Sequence, residues 1–382
     1  MSARDVIYTG PHVTVRRAAE ADNAALCEVV RRVHLRSQLD VTQERDPDFF
    51  ALPRMHLGEH AVYLGENAEG FVGGCGSVMV RPGWVDGEVR TVGYLSDLRA
   101  VPGFKGARAL PAAYHRALEL ARDEQGAELF YTVIFDDNAV ARRALVGRGG
   151  DKRRAGQPVY RPMTPFHMTS VQYALPMRAP RGEVRRAKDG DRDQLVAFLS
   201  AQAKRRVMGD VMGPELFQRR LDAWPDFSLE SFFIALDGGG RIVGATAPWN
   251  THRFKRTRVL GYYGPMLRMK RAFNLGAKVL RYPPLPEPGE CLDFAFLSHL
   301  EVKDDDPAVL RDLLRATYRA LAQDRLHFIS AMIPRGSTLE AAFKGFVVNR
   351  TAMTVYSVAL PESPFAARDF TTLHPGFEMA LS

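Results

Sequence analysis

The residues best suited to chemistry lie where a strand-like segment runs directly into a predicted helix. The segment reads LRAVPGFKGARAL from Leu98 to Leu110 and contains the cations Lys105 and Arg108, with no acid between Asp97 and Glu119. A strand that turns into a helix presents unpaired backbone N–H groups at the positive end of the helix dipole. Glycine in such a loop lets an anion approach the backbone closely. The segment therefore predicts a pyrophosphate site.

A second strand-to-helix segment later in the chain has the opposite charge. After Leu300-Glu301-Val302 the loop reads KDDDPAVL from Lys303 to Leu310, with three carboxylates and no glycine. Like charges in contact repel by roughly 1 kcal/mol per pair even in water. This second loop is not expected to bind a pyrophosphate, and its part of the chain is interpreted as a structural partner.

The two segments belong to an internal repeat with three landmarks in the same order. Each landmark recurs as follows: Val15-Arg16-Arg17-Ala18 as Val184-Arg185-Arg186-Ala187, Tyr94-Leu95-Ser96-Asp97-Leu98 as Phe296-Leu297-Ser298-His299-Leu300, and Met168-Thr169 as Met353-Thr354. A repeat this long is not typical of a solenoid, so each copy is expected to bury its own core. The pattern predicts two consecutive domains with the same fold.

The elements that must position these residues follow from hydrophobic periodicity. Each copy opens with a short strand and a helix, and a series of strand-like runs follows. The first copy continues with a helix from Pro111 to about Asp123, a buried strand at Leu129 to Phe135 and a helix at Asn138 to Val146. The second repeats this order. We predict an α/β (α+β) fold of two tandem domains, each a mixed, mostly antiparallel sheet flanked by helices.

The predicted domain boundaries are an N-terminal domain at 1–176, a linker at 177–182, a C-terminal domain at 183–362 and a tail at 363–382. The linker region is polar and punctuated by prolines. The second copy also carries an insertion, which includes the basic, helix-like stretch Leu267 to Leu280 and a proline-rich stretch at 283–288. We interpret this insertion as a lid or interface element.

Composition bounds the remaining functions. The chain has 382 residues, a net charge of +8 and three cysteines without CxxC spacing, so neither a disulfide framework nor a metal site is expected. The first dozen residues contain no apolar signal-peptide core, and no stretch approaches the roughly 18 apolar residues of a membrane span. We expect a cytoplasmic protein without a membrane partner. Basic clusters at 152–154, 253–258 and 268–271 are read as solvated surface, with nucleic acid left open.

The strand-to-helix segment of the first copy resembles the GNAT N-acetyltransferase superfamily. In that family a strand ending L-x-V-x-P runs into a loop R-G-x-G-x-G/A that wraps the pyrophosphate of acetyl-CoA. Leu98, Ala100, Pro102, Lys105 and Gly106 fall on that pattern. The family's downstream N-x-x-A-x-x-L-Y-x-x-x-G-F resembles the segment that contains Asn138, Ala141, Ala144, Leu145 and Gly149.

The chain departs from the family pattern at four positions. Arg108 stands where the middle glycine of the loop is usual, and Leu110 where the last glycine or alanine is usual. Leu145 replaces the tyrosine that many relatives use as general acid, and Gly150 replaces the phenylalanine. Proton delivery to the leaving thiolate is therefore expected to come from another group.

The resemblance implies an N-acetyltransferase in which a primary amine attacks acetyl-CoA directly, with the N-terminal domain catalytic and the C-terminal domain walling the acceptor cleft. The acceptor would be a small-molecule or peptide amine, and a homo-oligomer is possible. Backbone N–H groups around 99–101 would stabilise the oxyanion, and Asn138 would position the pantetheine arm. The implied cofactor-binding residues are Leu98, Arg99, Ala100, Val101, Lys105, Gly106, Ala107, Arg108, Ala109, Leu110 and Asn138.

The attacking amine must lose a proton, so a base or a water chain is needed. Asp97 and Tyr94 on the central strand and Tyr131 on the next strand are the nearest candidates, with ordinary sheet packing as the competing interpretation of each. Two other functions stay open. One is a Fem-type aminoacyl-tRNA-dependent transferase whose basic clusters meet RNA, and the other is a non-catalytic binding protein in which both cofactor loops are lost.

Overall fold

The computed structural model of the chain describes residues 6–35, 38–147, 157–280, 282–371 and 373–382. The strands are β1 (Val6–Thr9), β2 (Thr14–Arg17), β3 (His34–Leu35), β4 (Leu39–Glu44), β5 (Glu59–Glu66), β6 (Val72–Val85), β7 (Glu88–Ala100), β8 (Leu129–Phe135), β9 (Val159–Gln172), β10 (Glu183–Arg186), β11 (Gly209–Asp210), β12 (Phe233–Leu236), β13 (Ile242–Asn250), β14 (Arg256–Tyr262), β15 (Cys291–Leu292), β16 (Phe294–Val302), β17 (Phe328–Pro334) and β18 (Val348–Ala359). The α-helices are α1 (Asn23–Arg32), α2 (Ala51–Met55), α3 (Leu110–Gln125), α4 (Ala139–Ala141), α5 (Arg192–Lys204), α6 (Pro214–Ala223), α7 (Gly264–Leu280) and α8 (Pro307–Leu321). Within these ranges, no helix is long and apolar enough to cross a membrane.

Most strands join one continuous sheet that runs through both halves of the chain. Their spatial order is β1-β2-β5-β6-β7-β8-β18-β9-β17-β16-β13-β12-β10, and β11 pairs with β6. Among the strands of the described ranges, only the pairs β7–β8 and β16–β17 are parallel. The predicted mixed, mostly antiparallel sheet is therefore confirmed. The strands of the two halves form one common sheet, whereas a separate sheet in each half was predicted.

The two halves exchange their last strands. β9, from the first half, pairs with β17 of the second half, from Gln172 opposite Phe328 to Phe166 opposite Pro334. β18, from the second half, pairs with β8 of the first half, and β9 and β18 pair with each other at the centre. Each half's part of the common sheet is thus completed by a strand from the other half. The domain boundaries at 1–176 and 183–362 stay a prediction.

Helices cover the sheet through the apolar stripes that the periodicity predicts. In α3 the stripe of Ala113, Ala117, Leu118 and Ala121 is buried, and Leu118 packs with Phe130 and Val358 in one core cluster. The helix ends at Gly126, whose φ of 74° is the left-handed conformation that favours glycine after a helix. In the second half α8 buries Leu310, Leu313 and Leu314 against Val171 and Ile329.

A second sheet also joins the halves. Its order is β15-β14-β4-β3, in which β14 from the insertion pairs antiparallel with β4 of the first half. Glu44 of β4 accepts hydrogen bonds from Arg258 of β14 at 2.5 and 3.0 Å. Of the two roles predicted for the insertion, the structure therefore shows the interface element.

The segment predicted as a tail packs between the halves. Phe370, Ala380 and Leu381 are fully buried. Backbone hydrogen bonds join Val207 N–H to His374 O at 3.1 Å and Gly376 N–H to Val207 O at 2.9 Å. Residues 374–382 are consequently buried or half-buried in the protein.

The strand exchange predicts that neither half folds alone. We expect polypeptides 1–178 and 179–382 to be unfolded or aggregated when produced separately, because β8 and β17 each lose a central partner and bare their backbone groups. Produced together, the two should associate and recover the native far-UV spectrum and a cooperative thermal transition. A dispersed amide NMR spectrum from either half alone would contradict this.

Candidate active site

The strands β7 and β8 diverge near the middle of the sheet and leave a V-shaped opening between them, the V. They pair in parallel only at Val92–Leu129, Gly93–Phe130 and Tyr94–Tyr131, and beyond these pairs the strands separate. The hydroxyl of Thr132 donates to the carbonyl of Leu95 at 2.9 Å just inside the opening. Backbone groups on the inner edges of the V are thereby released from sheet pairing and can face a ligand.

A β-bulge at Asp97 accompanies this opening. The register of β7 against β6 shifts between the pairs Cys75–Arg99 and Ser77–Ser96, and Asp97 has a φ of 53°. A positive φ at a residue other than glycine is uncommon, and bulges of this kind bend a strand and re-aim side chains. The bulge therefore bends β7 where the V begins.

The second half has the same combination of a short parallel pairing and a β-bulge at the equivalent position of the repeat. β16 and β17 pair in parallel only from Phe294–Phe328 to Phe296–Ser330, and His299 has a φ of 50° beside a matching register shift against β13. Asp97 and His299 are aligned in the internal repeat. The sequence repeat thus corresponds to a repeated backbone geometry.

A buried ion pair lies at the first bulge. Arg45 Nη2 donates to Asp97 Oδ1 at 2.9 Å, and their side chains are 1% and 3% exposed. Burial alone would raise the pKa of Asp97, but the charges of Arg45, Arg99 and Lys255 outweigh burial and hold this pKa below its usual value. Asp97 is therefore ionised at neutral pH and is a weak proton acceptor.

Cationic donors exceed acceptors around Asp97. Arg99 Nη2 donates to Gln43 Oε1 at 2.6 Å. Among the described residues, Arg45 Nε, Arg45 Nη1 and Arg99 Nε have no acceptor. Buried donors of charged groups are costly to leave unpaired, so this region is suited to a water or an anionic group. No spacing or motif marks Arg45 in the sequence, and the sequence analysis missed it.

Lys255 reaches the same region from the second half. It follows β13, and its Nζ donates to the carbonyl of Ala380 at 3.2 Å and contacts the main-chain oxygen of Ser382. Burial lowers the pKa of Lys255 to about 7, Arg45 and Arg99 act in the same direction, and Asp97 opposes them. A lysine with this pKa is partly neutral at physiological pH and can accept a proton. Sequence analysis had placed Lys255 only in a solvated basic cluster.

The two candidate tyrosines stack on each other at the foot of the V. The ring centroids of Tyr94 and Tyr131 are 4.8 Å apart, and Arg81 Nη2 donates to the Tyr131 hydroxyl at 3.4 Å. Burial raises the pKa of both phenols. They are consequently protonated at neutral pH and do not serve as bases. Because the raised pKa makes each phenol a weak acid, their hydroxyl groups are suited to donate hydrogen bonds rather than protons.

His56 packs beside Tyr94 and contacts the end of the chain. Its ring centroid is 5.5 Å from that of Tyr94, and its Nε2 is 3.0 Å from the carbonyl of Leu381. Burial lowers the pKa of His56 to about 3, so the imidazole is neutral and donates to this carbonyl. The segment 380–382 is thus held from both sides, by His56 and by Lys255.

The predicted cofactor loop leads from β7 into α3. Residues Lys105–Arg108 form a short 3-10 turn, and Lys105 is exposed on it. The N–H of Val101 donates to Gly73 O at 2.8 Å, so this N–H is committed to the backbone and does not face a thioester. The side chains of Ala107, Arg108 and Leu110 lie outside the described part of the structure.

Phe104 explains the glycines around this loop. A Cβ on Gly73 would lie 2.1 Å from the Phe104 ring, and a Cβ on Gly106 would lie 2.4 Å from it. Gly73 is also the extra residue where the register between β5 and β6 shifts. The glycines therefore make room for an aromatic side chain that packs beneath the loop.

The remaining predicted cofactor residues lie along both arms of the V. Leu98 is partly exposed, Ala100 pairs with Gly74, and Ala109 is buried at the start of α3. Asn138 follows β8, and its Oδ1 accepts from the N–H of Ala141 at 3.0 Å and so caps α4. Gly149, Gly150 and the basic cluster at 152–154 fall outside the described residues.

The second bulge is filled by the protein itself. Glu378 Oε2 accepts from the N–H of His299 at 3.1 Å and from the hydroxyl of Ser298 at 2.7 Å. Asp306 caps α8 by accepting from the N–H of Ala308 at 2.7 Å. A cavity of about 140 Å³ remains between β16 and β17. Carboxylates thus occupy the N–H groups of His299 and Ala308. That the second loop binds no pyrophosphate stays a prediction.

The pKa of Lys255 predicts a pH-dependent stability. Its ordinary pKa is near 10.5, so between pH 7 and 10.5 the unfolded chain binds more protons than the folded one. The cost of burying Lys255 is fully present below pH 7 and is relieved as the pH rises. The free energy of unfolding of the wild type, relative to that of Lys255→Met, should therefore increase from pH 7 to pH 10. Urea unfolding of both proteins at several pH values measures this difference. The exposed Lys344→Met should show no such trend.

Comparisons with known proteins identify the fold. No protein-family model matches the sequence, and no curated protein matches it significantly. Solved structures with similar folds include Saccharomyces cerevisiae N-myristoyltransferase with bound myristoyl-CoA, at a TM-score of 0.60 and 12% identity over 96% of this chain and 89% of that chain. A GCN5-related N-acetyltransferase from Sphaerobacter thermophilus has a TM-score of 0.54 and 13% identity, over 98% of this chain and 100% of that chain. At this identity the likeness shows the fold alone, and it confirms the predicted GNAT-like class of a mixed sheet flanked by helices. The tandem duplication stays a prediction.

Proposed function

We propose that the protein is an N-acyltransferase that transfers an acetyl group from acetyl-CoA to a primary amine, with the acetyl-CoA bound by the first half of the chain. The observation that carries the proposal is the V between β7 and β8, which begins at the Asp97 bulge and leads into the loop before α3. A thioester can enter such an opening and be held along unpaired strand edges. The similar fold of a protein with bound myristoyl-CoA supports a CoA thioester as donor.

The proposed donor site follows the predicted residues. The pyrophosphate would lie on the loop 105–110, where Lys105 is exposed and the start of α3 supplies the positive end of a helix dipole. The pantetheine arm would run between Leu98–Val101 and Asn138, on the two arms of the V. In the second half, Glu378 already accepts the hydrogen bonds of the corresponding groups, the Ser298 hydroxyl and the His299 N–H. We therefore assign acetyl-CoA to the first half only.

The acyl transfer needs a proton acceptor, and we assign this role to Lys255. The amine nitrogen of the acceptor bonds to the thioester carbonyl carbon, the C–S bond breaks, and the CoA thiolate leaves with the bonding electrons. The neutral amine of Lys255 takes the proton that the attacking nitrogen loses. The proton that Lys255 accepts can then pass to the thiolate, which restores the neutral lysine. Asp97, paired with Arg45, keeps a negative charge beside this centre, and the protonated Tyr94 and Tyr131 can donate hydrogen bonds to the thiolate.

Donor binding can be tested by isothermal titration of acetyl-CoA into the purified protein. We expect micromolar binding that Lys105→Glu weakens at least about tenfold, because the change puts a carboxylate beside the pyrophosphate. Lys303→Glu, at the equivalent loop of the second half, is the matched control and should bind like the wild type. Absence of binding at millimolar acetyl-CoA would refute the proposal, and titration with myristoyl-CoA would then test whether only the acyl group is misassigned.

The role of Lys255 predicts a characteristic pH–rate profile. With an accepted amine, we expect the rate of CoA thiol release to rise through about pH 7, as Lys255 loses its proton. Lys255→Met and Lys255→Arg should each lower the rate on the order of 10²- to 10⁴-fold and remove this rise. Unchanged profiles in both variants would assign the proton to another group.

A further inference from the structure

The helix α7 is anchored to the protein by one face. Its Lys270 pairs with Glu287 at 2.5 Å, and the side-chain amide of Asn274 exchanges two hydrogen bonds with the backbone of Leu285, at 2.8 and 3.0 Å. Ala277 is 2% exposed, and Met266 packs on the core of the second sheet. These contacts fix which face of α7 is turned outward.

The outward face of α7 carries large apolar side chains that no described residue covers. Leu275 is 70% exposed and Val279, one turn later, is 76% exposed. Met269 on the same helix and Tyr263 just before it are 49% and 56% exposed. Four of the eleven exposed large hydrophobic side chains in the described chain thus cluster within one short segment. Such clustering marks an interaction surface rather than scattered surface residues.

Positive charge accompanies the apolar side chains. Arg268, Arg271 and Lys278 are exposed on α7, and the structure gives none of them an ion-pair partner among the described residues. The helix contains no aspartate or glutamate. An amphipathic helix that combines protruding aliphatic side chains with an unneutralised basic edge suits the boundary between anionic headgroups and acyl chains.

Other partners fit these residues less well. A second copy of this chain placed on the same face by twofold symmetry would bring like charges together. The phosphates of a nucleic acid would pair with the basic side chains, but a nucleic acid would leave Leu275 and Val279 exposed to water.

We propose that α7 docks the protein on an anionic membrane surface, with Leu275 and Val279 inserted at the headgroup level. This inference is independent of the proposed transferase activity. The sequence-based expectation of no membrane partner considered only spanning segments, and docking at the surface needs none.

Docking can be measured by co-sedimentation of the full chain with vesicles. We expect binding to phosphatidylcholine vesicles that contain phosphatidylglycerol, weaker binding to pure phosphatidylcholine vesicles, and release by high salt. The double change Leu275→Ser with Val279→Ser, and separately the triple change of Arg268, Arg271 and Lys278 to glutamine, should each reduce the partition coefficient on the order of tenfold or more.

The controls use exposed residues elsewhere in the chain. Val89→Ser with Val140→Ser removes two comparably exposed apolar side chains and should leave vesicle binding unchanged. All the changed positions are exposed, so the thermal unfolding temperature should not move in any variant. Equal binding to neutral and anionic vesicles, or an equal effect of the control variant, would overturn the proposal. Self-association that Leu275→Ser with Val279→Ser abolishes, without vesicle binding, would overturn it in favour of a second copy.

Discussion

The pairing of β9 with β18 is the interaction on which the rest of this structure depends. Each strand ends one half of the chain and completes the sheet of the other half. The V between β7 and β8 exists because β8 is held on its far side by β18, which frees its near edge to leave β7. The proposed donor site in the first half is thus stabilised by a strand that the second half supplies.

The two bulges show how one backbone geometry acquires two uses. At Asp97 the bulge is surrounded by Arg45, Arg99 and Lys255, so positive charge and unpaired donors accumulate there. At His299 the equivalent backbone N–H is satisfied by Glu378. The segment 373–382 contacts both halves, through His56 of the first half and through Lys255 and Ser298 of the second.

Much of the fold could be predicted because it depends on local pattern. The burial of α3 follows from its 3.6-residue periodicity, and the equivalence of Asp97 and His299 follows from the repeat. The strand exchange could not be predicted in this way, because strands of similar hydrophobic pattern can pair with either half. Arg45 and Lys255 were missed for a related reason, since a single cation acquires its function from neighbours that are distant in sequence.

By itself, the sequence determined the mixed sheet flanked by helices, the contrast between a glycine-containing loop and an acidic loop, and the placement of Tyr94, Asp97 and Tyr131 on neighbouring strands. These properties reside in residue type and spacing. Only the tertiary structure decided how strands of the two halves pair, that residues 374–382 of the predicted tail are buried or half-buried, and that Lys255 lies near Asp97 with a pKa near 7. The reason is that burial and long-range contacts, rather than local preference, set the electrostatic environment of each group.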